Sequence, residues 1–300
     1  MTKKINFKKF SSIKVGGELD VFMIDSIEEC RSAFPSTTRK QDGQGVEASE
    51  QKSSSQVLLG NSYLIGSCNN ILIGDNPPPL AKLSKKFDYI KVEEDSLIIG
   101  AATPSGKIAS FCKKNNIANF EFLSHLPGTL GGLVYMNAGL QEYEIFNHLI
   151  SLKTSTQTLQ KQDIEFGYRH TNISSPILEA TFNIELGFDN TKVEMFKKMR
   201  SNQPSTPSAG SCFKNPDGDY AGRLIEAVGL KGVRVGDMEF STEHANFLVN
   251  HGDGCFDDAI YLIDEAKKRV FERFNIKLEC EIKIFEKDTS SYELRGHLKV

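Results

Sequence analysis

No two of the six cysteines in this 300-residue chain lie closer than 25 positions, and none forms a Cys-x-x-Cys pair. Neither a structural zinc nor a disulfide framework is indicated, so no metal is expected and a reducing compartment, the cytoplasm, is the natural home. The lysines at the N-terminus are followed by no apolar segment of the signal-peptide kind, and no run of about 18 apolar residues occurs. A membrane is therefore not expected as a partner. Net charge is −3 with no basic stripe, which argues against nucleic acid as the main partner. Gly-x-Ser-x-Gly is missing, and with it the signature of a covalent serine hydrolase. No nicotinamide fingerprint is present either. Gly43-x-Gly45-x-x-Ala48 matches one formally, but no strand precedes it and no helical pattern follows, so the match is rejected.

What is present begins with Leu126–Gly139, where four glycines and a proline stand among apolar residues. Interior glycine costs roughly 0.5–1 kcal/mol relative to alanine, so such a density implies that something approaches the backbone. Exposed consecutive amides commonly hold phosphate. A tight buried turn with close helix packing is the plain alternative. A second loop, Gly66-Ser67-Cys68-Asn69-Asn70, sits between two apolar strands and offers amides and amide side chains to the same kind of ligand.

The remaining organisation follows from periodicity. Phe10–Ile24 alternates around Gly16-Gly17 and predicts two short strands with a turn. Pro35–Gln56 is almost without apolar residues and predicts a solvated insertion. Asp88–Ile99 predicts a strand pair turning at Glu94-Asp95, and Ser105–Asn115 a helix. Asn147–Phe182 adds strand candidates. Thr191–Ser201 predicts a helix that leads to Pro204 and Pro207, taken as a domain boundary. Tyr220–Gly232 predicts a short helix closed by Gly229, and Asp257–Phe274 a long amphipathic one. Lys277–Ile284 predicts a strand with Glu279 and Glu281 on one face. The outline is α+β: a domain over 1–202, a smaller α+β domain over 203–287, and a tail over 288–300.

Leu126–Gly139, together with Gly66–Asn70, Tyr168-Arg169, Gly210–Pro216, Phe240–Asn250 and Leu278–Glu281, resembles the UDP-N-acetylenolpyruvoylglucosamine reductases of MurB type. The absence of an extended clamping loop is similar to the shorter, type II branch. The resemblance implies a two-subdomain FAD-binding domain like that of the PCMH and vanillyl-alcohol-oxidase flavoproteins, followed by a substrate domain. It implies FAD contacts at Gly66, Ser67, Asn69, Asn70, Gly128, Thr129, Gly131, Gly132 and Asn137. Ser67 and Cys68 depart from the family's richer glycine run, and Cys280 stands where proline is common. By the same resemblance Arg169 binds the enolpyruvyl carboxylate, Glu281 assists as an acid, Ser211 protonates the substrate, and Tyr168, Lys214 and Asn215 contact the UDP-sugar. His170 has no assigned role, and His244 reads as structural. NADPH is the implied hydride donor, and a monomer is expected. The alternatives are a sugar or lactone oxidase on the same flavin fold, disfavoured because no histidine is well placed to tether FAD, and a nucleotide-binding module without chemistry. The presence of Arg169, Ser211 and Glu281 together argues against the latter.

Overall fold

The computed structural model describes residues 1–35 and 62–287. Nearly all of the predicted insertion Pro35–Gln56, and the tail 288–300, lie outside the described residues. Three main sheets organise the rest. In the first, Thr2–Asn6 runs antiparallel to Glu18–Ile24, which is parallel to Leu80–Leu83, and that strand is parallel to Tyr63–Ile65. The second is antiparallel throughout, in the order Thr158–Gln160, Leu149–Thr154, Ile177–Asn183, Ser96–Gly100, Ile90–Glu93. The third joins Ser208–Ser211, Phe247–Asn250, Met238–Phe240 and Arg234–Val235.

Among the described residues the buried side chains form three clusters, and the first sheet contributes to two of them. The largest core gathers the second sheet's Leu97, Ile99, Leu152 and Phe182 with Ile108 and Cys112 of the helix Ser105–Lys114. The third sheet is covered by the helix Phe256–Phe274, whose Ala259, Leu262, Ile263, Ala266 and Val270 are fully buried. Asp257 and Asp258 in its first turn complement the helix dipole, and Asn275 ends it in the left-handed conformation. The helices Asn190–Met199 and Ala221–Ala227 fall where periodicity predicts them. The strand pair Ile90–Glu93 and Ser96–Gly100 also turns where expected.

Two expectations need correction. Phe10–Ile24 is not a hairpin: only Glu18–Ile24 is a strand, and its partner is Thr2–Asn6. Phe7–Phe10 forms a helical turn capped by the Asn6 side chain. Ile13 and Val15, the alternating residues that suggested a strand, are instead loop residues inserted into the third sheet's core. Gly16 closes that loop at φ +108°, where a Cβ would lie 2.9 Å from that of Phe7. The second correction concerns Lys277–Ile284, of which only the end is a regular strand, Lys283–Phe285. The segment changes partner halfway. Lys214 donates to the Glu279 carbonyl and Glu281 to that of Cys212; beyond them, Lys283–Phe285 pairs in parallel with Ile71–Ile73. This return of the chain's last described strand to the first loop system positions the site.

Asn250 ties the third sheet to the N-terminal segment. Its Nδ2 donates to the Ile13 carbonyl at 3.0 Å, and its Oδ1 accepts from Gly252 and Gly254 at 2.9 Å each. With a net worth of about 0.5–1.5 kcal/mol per bond and a penalty for orphaned groups, Asn250→Ala should lower stability by roughly 2–4 kcal/mol. Urea unfolding measures this, and a loss below about 0.5 kcal/mol, within the range of an ordinary surface substitution, would contradict the assignment.

Candidate active site

The two predicted loops abut one another. A Cβ on Gly66 would stand 2.5 Å from Thr129 Oγ1, so the glycine permits the contact. Lys82 donates Nζ to the Gly66 carbonyl at 2.6 Å, and the Cys68 carbonyl accepts from both the amide and the hydroxyl of Ser12. Cys68 itself is left-handed at φ +56°, and burial pushes its thiol up to about 12, so it is an inert packing group. Ser67 donates to Asn69 at 2.6 Å, which leaves both side chains half-exposed at the loop surface.

On the facing loop the glycines divide by role. The amides of Leu130 and Gly131 donate to the carbonyls of Thr103 and Ala101 at 2.9 Å, and a Cβ on Gly131 would press on Ala101. Gly131 therefore serves packing, and its amide is already committed. Gly132 is open, with nothing nearer than 3.8 Å to an added Cβ. Beyond the helix Leu130–Tyr135, Asn137 is fully buried, and its Oδ1 has no partner among the described residues.

A two-residue hairpin, Phe166–Gly167 with His170–Thr171, carries Tyr168 and Arg169 at its tip. Three bonds fasten it to the chain after the glycine loop. Thr171 Oγ1 donates to the Tyr135 carbonyl at 2.8 Å, Asn137 Nδ2 to that of Gly167 at 3.1 Å, and Arg169 Nη2 to that of Gly139 at 3.1 Å. Arg169, left-handed at φ +54°, is stacked over Tyr168 and directs Nε to Glu281 Oε1 at 3.0 Å. The two charged side chains are only 19% and 15% exposed. Burial pushes the Glu281 carboxyl above its ordinary value, and Arg169 and then Lys214 pull it partly back. Glu281 also reaches the first loop, because its carbonyl accepts from Asn70 Nδ2 at 3.1 Å.

Glu281 and Tyr168 face a cavity of about 470 Å³ whose walls include Ser211, Asn215, Tyr220, Arg223 and Lys231. Ser211 ends the strand Ser208–Ser211 just after Gly210, which is left-handed at φ +80°. Asn246 sets the following turn by accepting from the Phe213 amide and donating to its carbonyl. His244, read from the sequence as structural, accepts at Nδ1 from the Asn246 amide and also lines the cavity, and burial lowers its pKa. Asn215 caps the helix Ala221–Ala227 through the Ala221 amide, and Lys214 is held at 2.6 Å by exposed Glu279.

Sequence reading brought Arg169, Ser211 and Glu281 forward but passed over Arg200, Arg223, Lys231 and Asn246. Arg200 is half-buried beside Arg169; burial and then its cationic neighbour lower its pKa, and it has no carboxylate partner among the described residues. Arg200 and Arg169 thus stand near each other, while only Arg169 is paired with Glu281. The only signal in the sequence was the Arg that ends the helix before Pro204.

Arg169 and Glu281 form a buried pair beside a polar cavity that Ser211 also lines, an arrangement that suits an enzyme site. Comparison with known proteins agrees. The family pattern of the UDP-N-acetylenolpyruvoylglucosamine reductase C-terminal domain matches residues 202–285. The UDP-N-acetylenolpyruvoylglucosamine reductases of Helicobacter hepaticus and Campylobacter jejuni strain RM1221 are 43% and 42% identical, over 95% and 93% of this chain and 99% and 98% of theirs. The solved MurB of Thermus caldophilus superposes with a TM-score of 0.76 at 25% identity, covering 95% of this chain and 99% of its own. The chain belongs to the UDP-N-acetylenolpyruvoylglucosamine reductase family, and so is an oxidoreductase.

The raised Glu281 pKa has a consequence for stability. A carboxyl whose folded value lies above the ordinary 4.5 contributes stability that is fully present below that value and is lost as pH rises through the folded value. Glu281→Gln cannot titrate. The stability of the wild type relative to this variant should therefore fall as pH is raised from 4.5 upward, as read by denaturant unfolding at stepped pH. A rising difference would mean that Arg169 outweighs burial.

Proposed function

We propose that the chain reduces UDP-N-acetylglucosamine enolpyruvate to UDP-N-acetylmuramate with FAD and NADPH, in peptidoglycan precursor synthesis. The observation that carries this reading is the convergence of Ser211, Glu281 and Tyr168 on one cavity, with Arg169 paired to Glu281 behind it. The residues fit the cofactor: open Gly132 and the half-exposed polar side chains of Ser67, Asn69 and Asn70 suit a phosphate-bearing nucleotide. Residues 1–202 would hold FAD through Gly66, Ser67, Asn69, Asn70, Gly128, Thr129, Gly132 and Asn137, and 203–287 the sugar nucleotide. Bound there, FAD would supply the hydride chemistry for reduction of the enolpyruvyl group, with NADPH as the donor.

The chain's own residues handle the charge that this leaves at C2. Arg169 uses one Nε and one Nη2 hydrogen on Glu281 and Gly139, so three of the five guanidinium hydrogens remain for a substrate carboxylate. Arg200 adds a second cation to the same neighbourhood. Glu281, held by burial toward its neutral form, can donate a hydrogen bond to the developing enolate. Ser211 delivers the proton to C2. Arg223 and Lys231 meet the diphosphate, with Tyr168, Lys214 and Asn215 on the sugar nucleotide. Among the described residues no helix is long and apolar enough to cross a membrane. A cytoplasmic monomer fits this reading.

The half-reactions separate Ser211 from the cofactor. Flavin reduction by NADPH needs no proton at C2, so Ser211→Ala should be reduced near the wild-type rate. General acids contribute about 10²–10⁴-fold, so reoxidation by the enolpyruvyl substrate should slow at least about a hundredfold. Stopped-flow absorbance reads both steps. Reoxidation at the normal rate would remove Ser211 from the mechanism.

A further inference from the structure

Lys82 stands on the strand Leu80–Leu83, opposite Met23 on one neighbour and Ile65 on the other. Its side chain is half-buried, burial lowers its pKa, and it meets no carboxylate among the described residues. A cation withdrawn from water without a counter-charge is costly, and an apolar residue of similar shape would serve the sheet as well. The partners it does have are the Gly66 carbonyl, at 2.6 Å, and the ring of Phe10, whose centroid is 5.2 Å away.

The bond to Gly66 sets the direction of the loop Gly66–Asn70. In a trans peptide the carbonyl and the following amide point opposite ways, and no described peptide bond is cis. With the Gly66 carbonyl turned to Lys82, the Ser67 N–H is turned away from it. The Cys68 carbonyl is taken in the same manner by the amide and hydroxyl of Ser12, so the Asn69 N–H points away from Ser12. The two donors come from one side of the loop, since the Phe10 ring beside the Lys82 ammonium is two residues before Ser12. Neither the Ser67 amide nor the Asn69 amide has an acceptor among the described residues. Cys68 between them is left-handed at φ +56°, a conformation that curls successive amides into an anion-binding concavity.

We propose that Lys82 is a positioning residue for the diphosphate of the flavin nucleotide: by holding the Gly66 carbonyl it aims the amides of Ser67 and Asn69 at a phosphate, with its own uncompensated charge behind them. This rests on the FAD reading above. The bound diphosphate supplies the counter-charge that Lys82 lacks within the chain. Lys82→Met keeps the length of the stem and removes both the charge and the donor.

The test is titration of deflavinated wild type and Lys82→Met with FAD and with riboflavin, which has the flavin ring but no phosphate. Flavin fluorescence reads binding, and the melting temperature of each apoprotein checks folding. Lys82→Met should bind FAD about tenfold more weakly or worse, the effect of one lost charge-assisted contact, while its affinity for riboflavin stays within about threefold of the wild type's. Unchanged FAD affinity, or equal losses for the two ligands, overturns the proposal. A wild type that takes up no FAD would instead overturn the cofactor reading. If Lys82→Met does not fold, or riboflavin does not bind the wild type, the structure of the FAD-bound wild type decides. A phosphate oxygen within about 3.2 Å of the Ser67 or Asn69 amide nitrogen supports the proposal, and phosphates placed elsewhere overturn it.

Discussion

The ion pair between Arg169 and Glu281 is the constraint on which the site depends. It spans 112 positions of sequence, and four-fifths of each side chain is withdrawn from solvent. A buried pair of this kind is weak support for stability in itself, because desolvation offsets the attraction; breaking one, however, leaves an uncompensated charge worth about 3–5 kcal/mol. Its value lies in location. Arg169 comes from a hairpin pinned to the chain after the glycine loop, and Glu281 from a segment that passes the Cys212–Lys214 turn before pairing with Ile71–Ile73. Neither residue could meet the other unless both partial folds were complete.

The consequence is a closed circuit of contacts. Asn70 holds the Glu281 carbonyl, Glu281 holds Arg169, Arg169 holds the Gly139 carbonyl, and the glycine loop leads back through Thr129 to Gly66. A cavity wall built on such a circuit holds Glu281 in fixed relation to both loops. For the proposed reaction, groups held this way would need no reorganisation as charge develops. Arg200 beside Arg169 places two cations together, and burial disfavours the charged form of Glu281.

Much of this was legible in the chain. The glycine density of Leu126–Gly139 and the acidic pair Glu279 and Glu281 stand out from ordinary composition, whereas Tyr168-Arg169 and the Gly210–Pro216 block came forward only through the family resemblance. The long helix Phe256–Phe274 declared itself by periodicity. What stayed hidden depends on distant partners. Thr2–Asn6 is a polar edge strand with Lys3 and Lys4, a composition that resists pairing and reads as loop. Ile13 and Val15 alternate like a strand because both point into a core contributed by residues two hundred positions away. Gly131 resembled its ligand-facing neighbours, and only the Ala101 carbonyl reveals its packing role.

A double-mutant cycle on Arg169→Met and Glu281→Gln tests the central claim most directly, read as unfolding free energy in the FAD-bound protein. If this pair couples the two parts of the chain, the effects of the single changes will exceed what the double change requires, with a coupling of at least about 1 kcal/mol. Additivity within about 0.5 kcal/mol would contradict it, and would mean that the two halves of the site are held together elsewhere.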